Sequence, residues 1–153
     1  MSWRASVFLE LIYTDICGPM KTPSLGGQRY FLIFIDDFSR MTWIYFLKEK
    51  SEAFATFKKF KSVVEKQKGC SIKTICSDRG GEFTSREFDE YCKNEGIQKQ
   101  LTSGYTPQQN DVSERRNRTI VEMARTMINE TGLPKYFWAE AVHIAVHILK
   151  GVK

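Results

Sequence analysis

Three acidic residues stand where a folded chain presents side chains on a rigid base. Asp15 lies near the end of the apolar stretch VFLELIYTDI, just before Gly18 and Pro19. Asp78 ends SIKTICSD, just before Gly80 and Gly81, and Glu114 sits in TPQQNDVSERRNRTI, in the first turn of a charged helical pattern. Asp78 and Glu114 have 35 residues between them (79–113). Strand ends and helix starts are where a sheet-based fold offers groups to a ligand. Three carboxylates gathered there repel one another unless protonated or neutralised by a cation. Hard oxygen ligands of this kind suit Mg²⁺ or Mn²⁺ better than zinc. Each acid also has a structural explanation. Asp15 could cap the turn before Gly18, and Asp78 could open an Asx turn into Gly80–Gly81. Asp111 and Glu114 have the spacing of a capping box. The case for chemistry rests on the three together.

These acids need a scaffold, and the hydrophobic pattern outlines one. Val7–Ile16 alternates and reads as a strand stopped by CGP at 17–19. RYFLIFIDDF is a near-continuous apolar run, as expected of a strand buried on both faces. MTWIYFLK reads as a third strand, joined to the second by a short turn at Asp37–Arg40 to make a hairpin. Ser51 reads as the N-cap of a helix ending at Gly69, with Ala53, Phe54, Phe57, Phe60, Val63 and Val64 at helical spacing. A fourth strand (SIKTICSD), a helix capped by Thr84 or Ser85 and stopped by Gly96, and a fifth strand (IQKQLT) follow. After the polar loop SGYTPQQN come two helices, from near Asp111 to about Glu130 and from Pro134 to about Lys150. This order implies an α/β domain, a mixed sheet with helices on its faces.

Bulk properties narrow the class. The 153 residues suit a single domain, 1–153, with its own core. Hydrophobic content of 42% and charged content of 27% are those of a globular chain. The net charge of +5 favours a polyanionic partner. Cys17, Cys70, Cys76 and Cys92 form no CxxC pair and read as reduced, mostly buried thiols. No apolar run approaches the roughly 20 residues of a membrane span. Two further groupings read as structural. Asp36 and Asp37 belong to the hairpin turn. His143 and His147 lack the Glu of a zinc-protease helix and read as the polar side of the last helix, opposite Phe137, Trp138, Ala141, Ala145 and Ile148.

The stretches LELIYTDICGPM, RYFLIFIDDFSRMTWIYFLKEKSEAF, SDRGGEF, TPQQNDVSERRNRTI and LPKYFWAEAV run in order over nearly all of the chain. Together they resemble the integrase catalytic core of copia-type long-terminal-repeat retrotransposons, within the retroviral integrase superfamily. The resemblance implies a ribonuclease H-like fold, a mixed five-stranded sheet flanked by helices. It implies that Asp15, Asp78 and Glu114 are the catalytic, metal-binding triad. Two Mg²⁺ (or Mn²⁺) ions about 3.5–4 Å apart would serve an in-line phosphodiester displacement. Water attack processes DNA ends; hydroxyl attack transfers a strand into target DNA. The implied partners are element-end and target DNA and further copies of the chain, as a homodimer or higher oligomer through the helix from Pro134. The implied setting is intracellular, with the nucleus as the site of action and no membrane. Full-length proteins of this type carry an N-terminal His/Cys zinc module and a basic C-terminal DNA-binding region. Neither falls in these residues, so the chain reads as a core alone. Two alternatives stand beside this reading: an inactive or domesticated relic that binds nucleic acid or dimerises, and an RNA-directed nuclease on the same fold.

At 100° per residue, Ile120, Met123, Ala124, Met127 and Ile128 form one apolar stripe. Glu114, Arg118 and Arg125 line one flank of it, with Val121 close by. Arg118 and Arg125, with Arg115, are therefore candidate phosphate contacts beside the metals. The alternative is a Glu114–Arg118 ion pair on a solvated helix. Tyr105, Gln108, Gln109 and Asn110 are the remaining DNA-binding candidates, in a polar loop that flanks the active site in the resembled family. The chain departs from that family's pattern at Asp111, where Gly is usual, at Tyr105, where His is common, and at Gly104, where Pro is common. Asp111 could add a ligand or draw Glu114 into a cap.

Overall fold

Alternation in LIYTDIC sends Leu11 and Tyr13 to one side of a strand and Ile12 to the other. This is β1 (Leu11–Cys17), the central strand of the sheet. The computed structural model describes residues 4–78, 82–102 and 107–150, and within these not the side chains of 101–102 and 107–111. β1 pairs antiparallel with β2 (Tyr30–Asp36), which pairs antiparallel with β3 (Thr42–Leu47). On its other side β1 runs parallel to β4 (Thr74–Asp78), and β4 runs parallel to β5 (Gln98–Thr102). The spatial order is β3-β2-β1-β4-β5. The parallel pairs require crossovers. α1 (Ala53–Lys68) and α2 (Arg86–Glu95) provide them, and α3 (Pro107–Thr131) and α4 (Trp138–Lys150) complete the chain. This is the mixed, helix-flanked five-stranded sheet expected of the sequence.

Each face of the sheet has its own core. Phe57, Phe60 and Val64 of α1 and Phe88 and Cys92 of α2 pack with Ile12, Leu32, Phe34 and Ile75. Phe34 stacks on Phe60 with centroids 4.1 Å apart and planes 4° from parallel. Phe60→Ala would cost about 3–5 kcal/mol through the lost contacts and the cavity left behind. On the opposite face, Ile120 and Ala124 of α3 and Val142, Ala145 and Val146 of α4 cover Leu11, Tyr13, Ile33 and Cys76. Phe31 through Ile35 are fully buried, as a strand covered on both faces requires. The cysteines are free thiols, and burial pushes Cys17, Cys76 and Cys92 up to about 11. Among the described residues no helix is long and apolar enough to cross a membrane.

Several boundaries differ from the sequence reading, each for a local reason. β1 starts at Leu11 rather than Val7. Ahead of it the backbone N–H groups turn to side chains: Leu9 N–H donates to Asp36 Oδ1 (2.8 Å) and Ala5 N–H to Asp37 Oδ2 (2.7 Å). Ser51 does not cap α1. A 3-10 turn at Lys50–Glu52 precedes it, closed by a capping box between Glu49 and Glu52. Ser85 caps α2, its Oγ accepting from Phe88 N–H at 3.1 Å. α1 and α2 end at Gly69 and Gly96, whose φ values of 67° and 71° are the left-handed conformation that glycine adopts without strain. α3 begins at Pro107, not near Asp111. Proline at the first helical position needs no intrahelical N–H bond. Ile148 is not on the buried side of α4. It is 47% exposed and Ile144 49%, because the buried stripe is centred on Val142 and Ala145 and leaves Ile148 at its rim. His143 and His147 are exposed, as expected.

Candidate active site

The β1–β4 ladder sets Ile12 beside Ile75 and Tyr13 beside Cys76. Two residues further along each strand come Asp15 and Asp78, on the same face as Tyr13 and Cys76 by alternation. α3 packs on that face and carries Glu114. Asp15 is half-buried, and its carboxyl is pushed up from 3.8 to about 6. Burial is the largest cause and the charge of Asp78 the next. Hydrogen bonds from Asn117 and from Ile16 N–H pull the other way, and the charge of Glu114 adds to the rise. Asp78 and Glu114 therefore stand in the electrostatic neighbourhood of Asp15, and the charge of each opposes its ionisation.

Asn117 is the residue the sequence reading missed. Its Nδ2 donates to Asp15 Oδ2 at 2.7 Å, while Ile16 N–H donates to Asp15 Oδ1 at 3.0 Å. A carboxylate accepts only, so the amide must point its nitrogen at Asp15. This leaves Asn117 Oδ1 buried with no hydrogen-bond partner. The signal was present in ERRN: Asn117 follows Glu114 by three residues and so shares its face of the helix.

The donor set suits a divalent cation. It consists of hard oxygens, its carboxylates repel one another, and beside them lies an amide oxygen in want of a donor such as a metal-bound water. Among the described residues, however, no three His, Cys, Asp or Glu side chains are close enough to hold one ion together. Asp78 and Glu114 are exposed, whereas Asp15 is clamped by two hydrogen bonds.

The other candidates separate clearly. Glu114 does not cap a helix starting at Asp111, because α3 begins one turn earlier. Nor does it pair with Arg118; among the described residues its side chain forms no ion pair or hydrogen bond. Arg115, Arg118 and Arg125 are exposed. Arg116, which the sequence reading passed over, is half-buried, and its guanidinium is pushed down by burial and then by Arg40. Gln108, Gln109 and Asn110 are in the opening turn of α3, and with Asp111 their side chains lie outside the described residues. Tyr105 and Gly104 also lie outside them. The expected apolar stripe holds: Ile120 and Ala124 are buried, with Met123, Met127 and Ile128 packed against the same core.

Sheet order and crossovers are those of a ribonuclease H-like fold. The chain belongs to the integrase core domain family, whose pattern matches residues 9–107. It is 51% identical over 148 residues to the retrovirus-related Pol polyprotein from transposon TNT 1-94 of Nicotiana tabacum, covering 97% of this chain and 11% of that protein. It is 40% identical over 142 residues to the corresponding polyprotein from transposon RE2 of Arabidopsis thaliana, covering 92% and 10%. The chain thus spans about a tenth of the length of these plant transposon polyproteins. Among solved structures, the HTLV-2 integrase catalytic core domain in complex with magnesium, in its trimeric form, superposes with a TM-score of 0.69 at 19% identity, covering 98% of this chain and 90% of that one. A simian T-cell lymphotropic virus intasome in complex with PP2A regulatory subunit B56 gamma gives 0.71 at 18%, covering 94% and 49%.

Proposed function

We propose that this chain is the catalytic core of a DNA polynucleotidyl transferase. It would use Mg²⁺ or Mn²⁺ to process the ends of a transposable element and join them to target DNA, with the nucleus as its site of action. The observation that carries this reading is the shared neighbourhood of Asp15, Asp78 and Glu114 at the carboxyl ends of β1 and β4. Membership of the integrase core family supports it, as does the magnesium in the HTLV-2 core of the same fold. Asp15, Asp78 and Glu114 would hold the metal through carboxylate oxygens. A bound pair of divalent cations would supply an activated water or 3′-hydroxyl and neutralise the departing oxygen. Asn117 keeps the Asp15 carboxylate in one orientation. Arg115, Arg118 and Arg125 would bind phosphates along the flank of α3 and so position the scissile strand. The outer face of α4, with Ile144 and Ile148 exposed, is the contact we assign to oligomerisation.

The test is metal-dependent nicking, or reversal of joining, on a branched DNA. Asp78→Asn and Glu114→Gln should each lower the rate by more than about 100-fold, beyond the roughly 10–100-fold of an outer-shell change. Unchanged rates in both variants would refute the triad. A second reading, an inactive DNA-binding relic, draws support from the absence of three acids within reach of one ion among the described residues. It predicts DNA binding that survives loss of all three acids and no metal-dependent cutting by the intact chain. Comparing a DNA duplex with an RNA–DNA hybrid separates both from an RNA-directed nuclease.

A further inference from the structure

Along the flank of α3 that carries Glu114, a groove of about 500 Å³ opens between α3, α4 and the segment that follows β1. Met20, Val121 and Ile128 give it an apolar floor, and Trp138, Lys21, Arg125 and Lys135 stand among its walls. Among the described residues no acidic one lines it. None of the three cations is ion-paired among the described residues, and all three are exposed. The groove is also built rather than incidental. Trp138 Nε1 donates to the Thr22 carbonyl at 2.7 Å, and its ring meets Phe46 edge-on, with centroids 5.9 Å apart. Leu25 N–H donates to the Tyr136 carbonyl at 3.2 Å. These bonds tie the segment after β1 to α4 and fix the indole as a wall.

A ligand that fits must carry negative charge at its rim and a flat apolar group inside. Backbone phosphates and an unstacked base meet both demands, since cationic grooves with aromatic walls are how single strands are bound. Position argues the same way. Arg125 lies about three turns, or about 16 Å, along α3 from Glu114. At about 3.4 Å per nucleotide this spans four or five stacked steps.

We propose that this groove holds an unpaired nucleotide of the DNA strand four or five positions from the bond at which Asp15, Asp78 and Glu114 act, its phosphates on Lys21, Arg125 and Lys135 and its base against Trp138. The proposal rests on the DNA reading above and names a subsite beyond the acids. It is tested by binding rather than by cutting, with chelator present, using a fluorescent branched DNA titrated at several salt concentrations. Lys21→Ala combined with Lys135→Ala should lower the slope of log affinity against log salt by about 1.5, the equivalent of two phosphate contacts. Abasic sites placed singly along the strand should weaken binding at least about fivefold only at positions four and five, the lower end of what stacking one base contributes. That effect should vanish in Trp138→Leu, with thermal melting confirming that each variant is folded. An unchanged slope and a flat abasic profile would overturn the proposal and leave the groove to another occupant, such as an acidic protein segment. Cutting is scored separately. Loss of the subsite with intact metal-dependent nicking refutes the groove alone, and failed nicking with an intact abasic profile refutes the transfer reaction alone.

Discussion

At the start of β1 two acids meet donors and cations; at its end three acids meet one another. Asp36 and Asp37 are wholly buried. Asp36 accepts from Leu9 N–H (2.8 Å), Ser39 N–H (2.8 Å) and Ser39 O–H (2.7 Å). Asp37 accepts from Ala5 N–H and lies between Arg4 at 3.4 Å and Arg40 at 3.5 Å. Its charge also helps push the buried Tyr13 hydroxyl up to about 12, after burial itself. A few strand residues away, Asp15 has two donors and two neighbouring negative charges, and its carboxyl rises to about 6. The same residue type therefore does opposite work. Where donors surround the carboxylate, its charge organises the chain, bending residues 5–9 onto the hairpin turn. Where acids surround it, its charge is a standing cost that a bound cation would relieve.

The sharpest break in this comparison comes from deleting one carboxylate on each side. Asp36→Ala strands the buried Leu9 donor and frees the half-buried Ser39 donors, and should cost about 3 kcal/mol in urea unfolding. Asp15→Asn should instead stabilise the metal-free protein at pH 7.5 by about 1–2 kcal/mol, because it removes a charge that burial and two acids oppose. Equal destabilisation by the two changes would erase the distinction.

Acid titration sharpens the contrast further. Asp15 binds its proton more tightly in the folded chain (about 6) than in the unfolded chain (3.8). Its contribution to stability is therefore fully present below about pH 4 and is lost as pH rises towards 6. The stability of the wild-type protein minus that of Asp15→Asn should fall across this window and level off above it. A difference that rises with pH would mean that Asp15 is paired with a cation on the protein.

A smaller effect is expected at Asn117. Asn117→Ala removes a bond that favours the ionised carboxylate, so the Asp15 carboxyl resonance should titrate higher still in NMR. Apparent Mn²⁺ affinity should drop about tenfold. No change in either would reduce Asn117 to packing.

How much of this was legible in the sequence follows from the range of the interactions involved. Period-two and helical patterns are local, so the two-sided burial of β2, the stripe of α3 and the Ser85 cap could be read directly. The 79–113 interval and the strand-end positions likewise pointed to Asp15, Asp78 and Glu114. Reach across the fold could not be read. Asp36 and Asp37 looked like turn residues, and nothing local told that they bond Leu9 and Ala5, 27 and 32 residues away. Asn117 bonds Asp15 across 102 residues. The Trp138 groove joins chain segments 116 residues apart through the Thr22 carbonyl. Ile148 was misplaced because an apolar residue at the rim of a stripe scores like one at its centre. The start of α3 was misplaced because Pro107 was read as loop rather than as a first helical residue.

On the proposed function, the acids at the end of β1 would hold a cation, while those at its start already have their partners. Thermal melting with and without saturating Mn²⁺ tests it most directly. The wild-type chain and Asp37→Asn should both gain melting temperature on adding Mn²⁺ at pH 7.5, Asp37→Asn from a lower starting point. Asp15→Asn and Asp78→Asn should start at or above the wild-type melting temperature and gain little or nothing. A wild-type chain that gains nothing, or triad variants that gain as much as wild type, would contradict the account.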